Sequence, residues 1–143
     1  MKNLSALAEE SVRKYLEEGL YCSEAILQAY NAGLNLGLNE AALKMATAFG
    51  AGFGAAKCSC GSLTGALLVL SAIKGRISGK ESEAEVFQLA QRLHDRFKKE
   101  HKAICCRTLT REIVWGSPDH GPFCAKYVRS AAQFLNELLE ENR

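Results

Sequence analysis

Residues 61–74 read GSLTGALLVLSAIK, a stretch whose apolar residues fall on nearly every side of a helix. Such a helix has no face to give to water, so it predicts a buried central element with other helices wrapped around it. Gly75 marks its end, and GRISGK reads as the loop beyond. The apolar run Ala66 to Ile73 within it is far shorter than the roughly 20 residues that span a bilayer.

The rest of the chain supplies the wrapping. Val86, Leu89, Ala90, Leu93 and Phe97 make one apolar stripe with charges around it, the plainest amphipathic helix in the sequence. Leu4, Leu7, Ala8, Val12, Tyr15 and Leu16 repeat at the same spacing until Gly19. A second helix is expected to begin near Cys22, with Ala25, Ile26, Ala29 and Tyr30 inward, and to stop in NAGLNLGLN. Asn39 is placed to cap a short third helix carrying Ala42, Leu43, Ala46 and Phe49 inward, which Gly50, Gly52 and Gly54 then break. Beyond His101 come a short helix and a turn at Ser117 and Pro118. A last helix runs from about Pro122, with Phe123, Tyr127, Ala131, Phe134, Leu135 and Leu138 inward. β-branched runs are scarce and only two prolines occur. The expectation is all-α: one compact domain over residues 1–143, a bundle of about six helices around a buried one.

Composition narrows the function classes. A chain of 143 residues with 48% hydrophobic and 24% charged residues can bury a real core. Its net charge of +2 is too small to imply nucleic acid or an anionic membrane as partner. The opening MKNLSALAEESVRKYLEEG has no apolar core of a signal peptide, so a cytoplasmic location is expected. In that compartment six cysteines more often bind metal or perform redox chemistry than form a static disulfide framework.

The cysteines share a setting. Cys60, in KCSCGSLTG, opens the central helix, Cys22 opens the second and Cys106 the short one, while Cys124 is expected in the first turn of the last. Unpaired N–H groups and the positive end of the helix dipole favour a thiolate there, and the thiolate is the species that ligates metals and attacks disulfides. Four such thiols are able to converge at one end of a bundle. The plainer alternative is that they are small buried hydrophobes. No C-x-x-C occurs, so neither a thioredoxin-like motif nor a zinc ribbon is supported. Cys58 and Cys60 are separated only by Ser59, and Cys105 and Cys106 are adjacent. Each pair offers alternative ligands, or an attacking and a resolving thiol. A disulfide between the neighbours Cys105 and Cys106 would be strained and is set aside.

Taken in order, GLYCSEAIL around Cys22, AFGAGFG, CGSLTG at 60–65, LTGALLVL, Cys106 with Arg107, and Cys124 resemble the C_GCAxxG_C_C family of redox-active proteins. The likeness runs from about Tyr15 to Leu139. It implies a compact helical domain whose shared cysteines, here Cys22, Cys60, Cys106 and Cys124, bind an iron–sulfur or other metal centre or cycle as thiols. The sequence departs from the pattern at Ser62, where the family form has alanine, and in carrying Cys58 and Cys105 as extra thiols.

Other signals weigh less. GAGFG follows a helix and lacks the endings of a dinucleotide fingerprint or P-loop, so close packing or close approach to a cofactor explains it better. His94 and His101 lie at the edge of the stripe around Phe97 and read as solvated or hydrogen-bonded. His120, just ahead of Cys124, is a candidate ligand or proton carrier. RFKKEHK at 96–102 reads as a solvated basic face, and no buried carboxylate pair or nucleophile elbow supports hydrolysis.

The expected function is a small redox protein holding an iron–sulfur centre, or zinc, through Cys22, Cys60, Cys106 and Cys124. Cys60 is the principal thiol, and Cys58 is its reserve ligand or resolving partner. A metal-free thiol oxidoreductase or redox sensor is the second reading, with Cys58 and Cys60 or an inter-helix pair opening and closing. A helical interaction module with structural cysteines is the third. A redox partner protein and a homodimer are expected, with neither nucleic acid nor membrane.

Overall fold

The computed structural model describes residues 3–141, so the outermost ends of the expected 1–143 unit lie outside the described residues. Every regular element among them is helical: α1 (Leu4–Glu17), α2 (Cys22–Leu34), α3 (Glu40–Lys44), α4 (Gly50–Phe53), α5 (Gly61–Lys74), α6 (Ala84–His101), α7 (Cys106–Leu109) and α8 (His120–Glu141). The bundle proper is α1, α2, α5, α6 and α8; α3, α4 and α7 are single turns in the connections. No helix among the described residues is long and apolar enough to cross a membrane.

Helix α5 is the centre, as its sequence requires. It packs on α2, α6 and α8, while α1 closes the opposite side against α2 and α8. Leu63, Ala66, Val69 and Leu70 of α5 meet Ile26 and Tyr30, Leu93 and Phe97, and Val128, Ala131 and Leu135, all buried. Each large side chain of this set contributes about 1.5–3 kcal/mol by leaving water. One part of the expectation fails. Ser71, Ala72 and Ile73 in the last turn of α5 are exposed, while Lys74 beside them pairs with Glu85 of α6 at 2.9 Å.

Local chemistry fixes the ends that matter. Glu24 accepts the Tyr21 N–H at 3.0 Å and the Thr47 hydroxyl at 3.0 Å, which starts α2 at Cys22 and ties the 47–49 turn to it. Asn39 caps α3 by accepting the Ala42 N–H at 2.9 Å. Ala46 beyond it is buried, and its carbonyl accepts from the Ser23 hydroxyl at 2.8 Å. Helix α8 begins at His120 and not Pro122, so Pro122 still falls within the first turn, where its missing N–H goes unused.

Between α3 and α5 the backbone is irregular. Ala51, Phe53, Ala55 and Lys57 take left-handed φ values of 56, 58, 71 and 70°, alongside Gly52 and Gly54. Gly52 is required by contact: a Cβ there would stand 2.4 Å from the Cys58 nitrogen. The segment then runs beside the start of α7. The Cys60 N–H donates to the Ile104 carbonyl at 2.7 Å, and the Arg107 N–H donates to the Lys57 carbonyl at 2.9 Å.

Candidate functional site

Helices α2, α5, α7 and α8 bring their beginnings to one cavity of about 60 Å³, lined by Cys22, Cys60, Cys106 and Cys124. Tyr15, Ser62, Trp115, His120 and Tyr127 complete most of its wall. The space is enough for a few waters or a small inorganic group. Cys22 and Cys106 are the first residues of their helices, and Cys60 immediately precedes α5. Cys124 is the exception to the expected pattern: it is the fifth residue of α8, past the turn whose N–H groups are free.

The electrostatics correct a second expectation, that all four sit where a thiolate is favoured. Burial pushes the Cys22 thiol up to about 12, with the neighbouring Cys60 adding to it, and burial pushes Cys124 up to about 11. Only Cys60 is held down, to about 7, chiefly because the Cys106 thiol donates to it. The Ser62 and Leu63 N–H groups and the Ser62 hydroxyl assist, against the cost of burial. Cys106 is raised by the same bond, since it keeps its proton to donate. In a buried pocket desolvation outweighs the partial charge of a helix end, and a thiolate survives only where several donors meet it.

Two wall residues are poised for that role. The Ser62 hydroxyl is buried and makes no regular hydrogen bond, so it is available to a thiolate on Cys22 or Cys60. The Tyr15 hydroxyl faces Cys124, and burial raises its own pKa. Around the mouth, Trp115 donates to the Thr110 hydroxyl at 2.7 Å and carries the Lys57 ammonium 4.5 Å from its ring centroid. His120 opens α8, stacks on Trp115, and accepts the Gly116 N–H at 3.1 Å through Nδ1. Burial and Lys57 lower its pKa.

The extra cysteines are disposed of together. Cys58 and Cys105 form a disulfide, and neither lines the cavity. Cys58 is therefore paired with Cys105 and not, as the resolving-partner reading has it, with Cys60. Segments 57–60 and 104–107 run side by side, tied by the Cys60 N–H to the Ile104 carbonyl and the Arg107 N–H to the Lys57 carbonyl, which brings Cys58 to Cys105 while Cys60 and Cys106 line the cavity. Of the other histidines, His94 is half-buried beside Asp95, and His101 is half-buried against Phe97 and Tyr127 with Nε2 unpartnered.

Four cysteine sulfurs are a donor set suited to a thiophilic metal. Among the described residues, however, no three of His, Cys, Asp or Glu are arranged to hold a metal ion as they stand.

With this geometry, the sequence model of the family described as "Putative redox-active protein (C_GCAxxG_C_C)" matches residues 20–138. The chain belongs to that family. All four cavity cysteines lie inside the matched region, as do the disulfide-bonded Cys58 and Cys105. No curated protein and no solved structure matches the chain. Tyr15, Trp115 and Tyr127 were not singled out as site residues by the sequence. Tyr15 and Tyr127 read there as core positions, and Ser62 carried a signal only as the departure from alanine.

Proposed function

We propose that this C_GCAxxG_C_C protein is a thiol redox protein whose working pair is Cys60 and Cys106. The observation that carries the reading is the Cys106 thiol donating to a Cys60 sulfur held down to about 7, inside a cavity of further thiols. A thiolate near neutral pH with a protonated thiol beside it is the arrangement that thiol–disulfide exchange needs. The Cys60 thiolate attacks one sulfur of an oxidised disulfide substrate, forming a mixed disulfide and releasing the other sulfur as a thiolate, which takes a proton. Cys106, deprotonated in turn, attacks the Cys60 sulfur and releases the second substrate thiol. The substrate gains two electrons and two protons, and Cys60–Cys106 becomes the disulfide.

A second reading has its own observation: four free cysteines line one cavity. In it Cys22, Cys60, Cys106 and Cys124 ligate an iron–sulfur centre or zinc, which supplies one-electron transfer or structural closure respectively. Loading would displace the protons now held on Cys22 and Cys124 by burial and on Cys106 by its bond to Cys60.

Anaerobic purification followed by metal analysis, a visible spectrum and a redox titration separates the two. Metal-free protein that titrates with two electrons, and loses this couple in Cys60→Ser and Cys106→Ser, carries the first reading. Stoichiometric iron or zinc lost in Cys60→Ser moves the function to the second.

A further inference from the structure

The working pair is sealed. Cys60 is 5% exposed and Cys106 7%, so no disulfide substrate reaches either sulfur while the cavity keeps its cover. Part of that cover is the segment 50–59, whose Ala51 lines the cavity. The segment is poorly stabilised on its own account. Residues 53–56 are exposed, and Ala51, Phe53, Ala55 and Lys57 hold left-handed backbone that L side chains adopt only when their surroundings enforce it.

What enforces it is a short set of ties to α7 and its flank. Arg107 donates its N–H to the Lys57 carbonyl at 2.9 Å and its guanidinium to the Ala56 carbonyl at 3.1 Å. Lys57 lies over Trp115. The one covalent tie is Cys58–Cys105. Both of its residues are half-exposed, unlike the pair inside.

We propose that the Cys58–Cys105 disulfide is a redox latch that holds the 50–59 segment over the thiol cavity, and that its reduction by a dithiol opens the site. The sulfur–sulfur bond breaks, Cys58 and Cys105 each take one electron and one proton, and the dithiol becomes its own disulfide. What then ties the segment to α7 and its flank is non-covalent, the Arg107 and Lys57 contacts. The latch cysteines do not line the cavity, so this control is separate from the chemistry inside it. Its consequence for turnover rests on the reading of Cys60 and Cys106 as the working pair; the opening itself does not.

The test is hydrogen exchange read by mass spectrometry on the full chain, compared between protein oxidised with glutathione disulfide and protein reduced with dithiothreitol, with Cys105→Ser as a permanently open form. Amides of 50–59 are expected to exchange about tenfold faster when reduced or in Cys105→Ser, while α1, α6 and α8 stay unchanged. Cys60 alkylation by iodoacetamide is expected to rise in parallel. Equal exchange in 50–59 in the two states overturns the latch. So does a uniform rise across all helices, which would make the bond a staple of the whole fold, and so does failure of Cys58 and Cys105 to pair under oxidation. In Cys60→Ser the exchange difference is expected to persist. The latch is therefore judged there even if the two-electron chemistry assigned to Cys60 fails.

Discussion

The sulfur of Cys22 rests against the Cα of Gly61, so close that a Cβ on residue 61 would stand 2.4 Å from it and 3.0 Å from the Phe49 carbonyl oxygen. The starts of α2 and α5 are thus pressed together through a thiol, and only glycine leaves room for it. Gly61→Ala is expected to displace the Cys22 sulfur and cost about 1–3 kcal/mol by overpacking. The urea midpoint measures the loss, and an unchanged midpoint would refute the contact.

Gly65 serves the same crossing one turn further on. A Cβ there would meet the Ser23 Cα at 2.8 Å and the Ser23 carbonyl oxygen at 3.1 Å, which are backbone atoms and cannot swing aside. Gly65→Leu is expected to lower stability by about 1–3 kcal/mol or more, with the helices forced apart. Gly79, with nothing within 4 Å of an added Cβ, provides the matched control, and Gly79→Ala should leave the midpoint unmoved.

The pH dependence of labelling follows from the thiol pairing. In reduced, metal-free protein, Cys60 is expected to alkylate with a midpoint at about 7, against about 11 for Cys124 and about 12 for Cys22. Cys106→Ala removes the donor and moves the Cys60 midpoint upward; Cys106→Ser, which keeps an O–H donor, moves it less. Isotope-coded labelling across pH reads all of these sites in one series. A Cys60 midpoint that ignores both substitutions would dissolve the pair.

Stability should follow pH in two opposite windows. The folded Cys60 has given up a proton that the unfolded chain still holds between 7 and its ordinary 9, so its contribution is full above 9 and lost as pH falls through about 7. Cys22, Cys106 and Cys124 keep protons in the folded state that the unfolded chain sheds above 9, so their contribution falls as pH rises beyond it. Urea midpoints of the disulfide-intact, metal-free protein are expected to rise toward about pH 9 and then decline. A steady fall from neutrality upward would contradict the lowered Cys60.

Far from the cavity, Asn136 donates to the Leu4 carbonyl at 2.8 Å and accepts from the buried Tyr30 hydroxyl. Asn136→Ala strands the Leu4 carbonyl and weakens the hold on Tyr30, at an expected cost of about 1–3 kcal/mol. Cys60 labelling should not change. This variant separates fold stability from site chemistry by pairing thermal melts with the labelling assay.

Much of this molecule is legible in the chain. The near-uniform apolarity of 61–74, the stripe through Val86 and Phe97 and the caps at Asn39 and Gly75 are local properties, because side-chain burial at helical spacing and end chemistry are written within a few residues. The four cavity cysteines were legible for a similar reason: each stands near a helix start that its neighbours announce. What the sequence alone determined is therefore the set of helices, their buried faces and the four thiols that a helical bundle is able to gather.

Tertiary structure decided the rest. Which member of each close cysteine pair faces inward depends on the register of 57–60 against 104–107, a pairing between segments 47 residues apart in the disulfide that joins them. Cys60 alone is held down because its donors come from α5 and α7 together, whereas at Cys22 and Cys124 burial prevails. Ser62, Tyr15 and Trp115 enter the site only when four helix ends meet. A pKa, a cavity wall and a disulfide partner are all sums over neighbours in space, and short-range sequence pattern does not carry those neighbours.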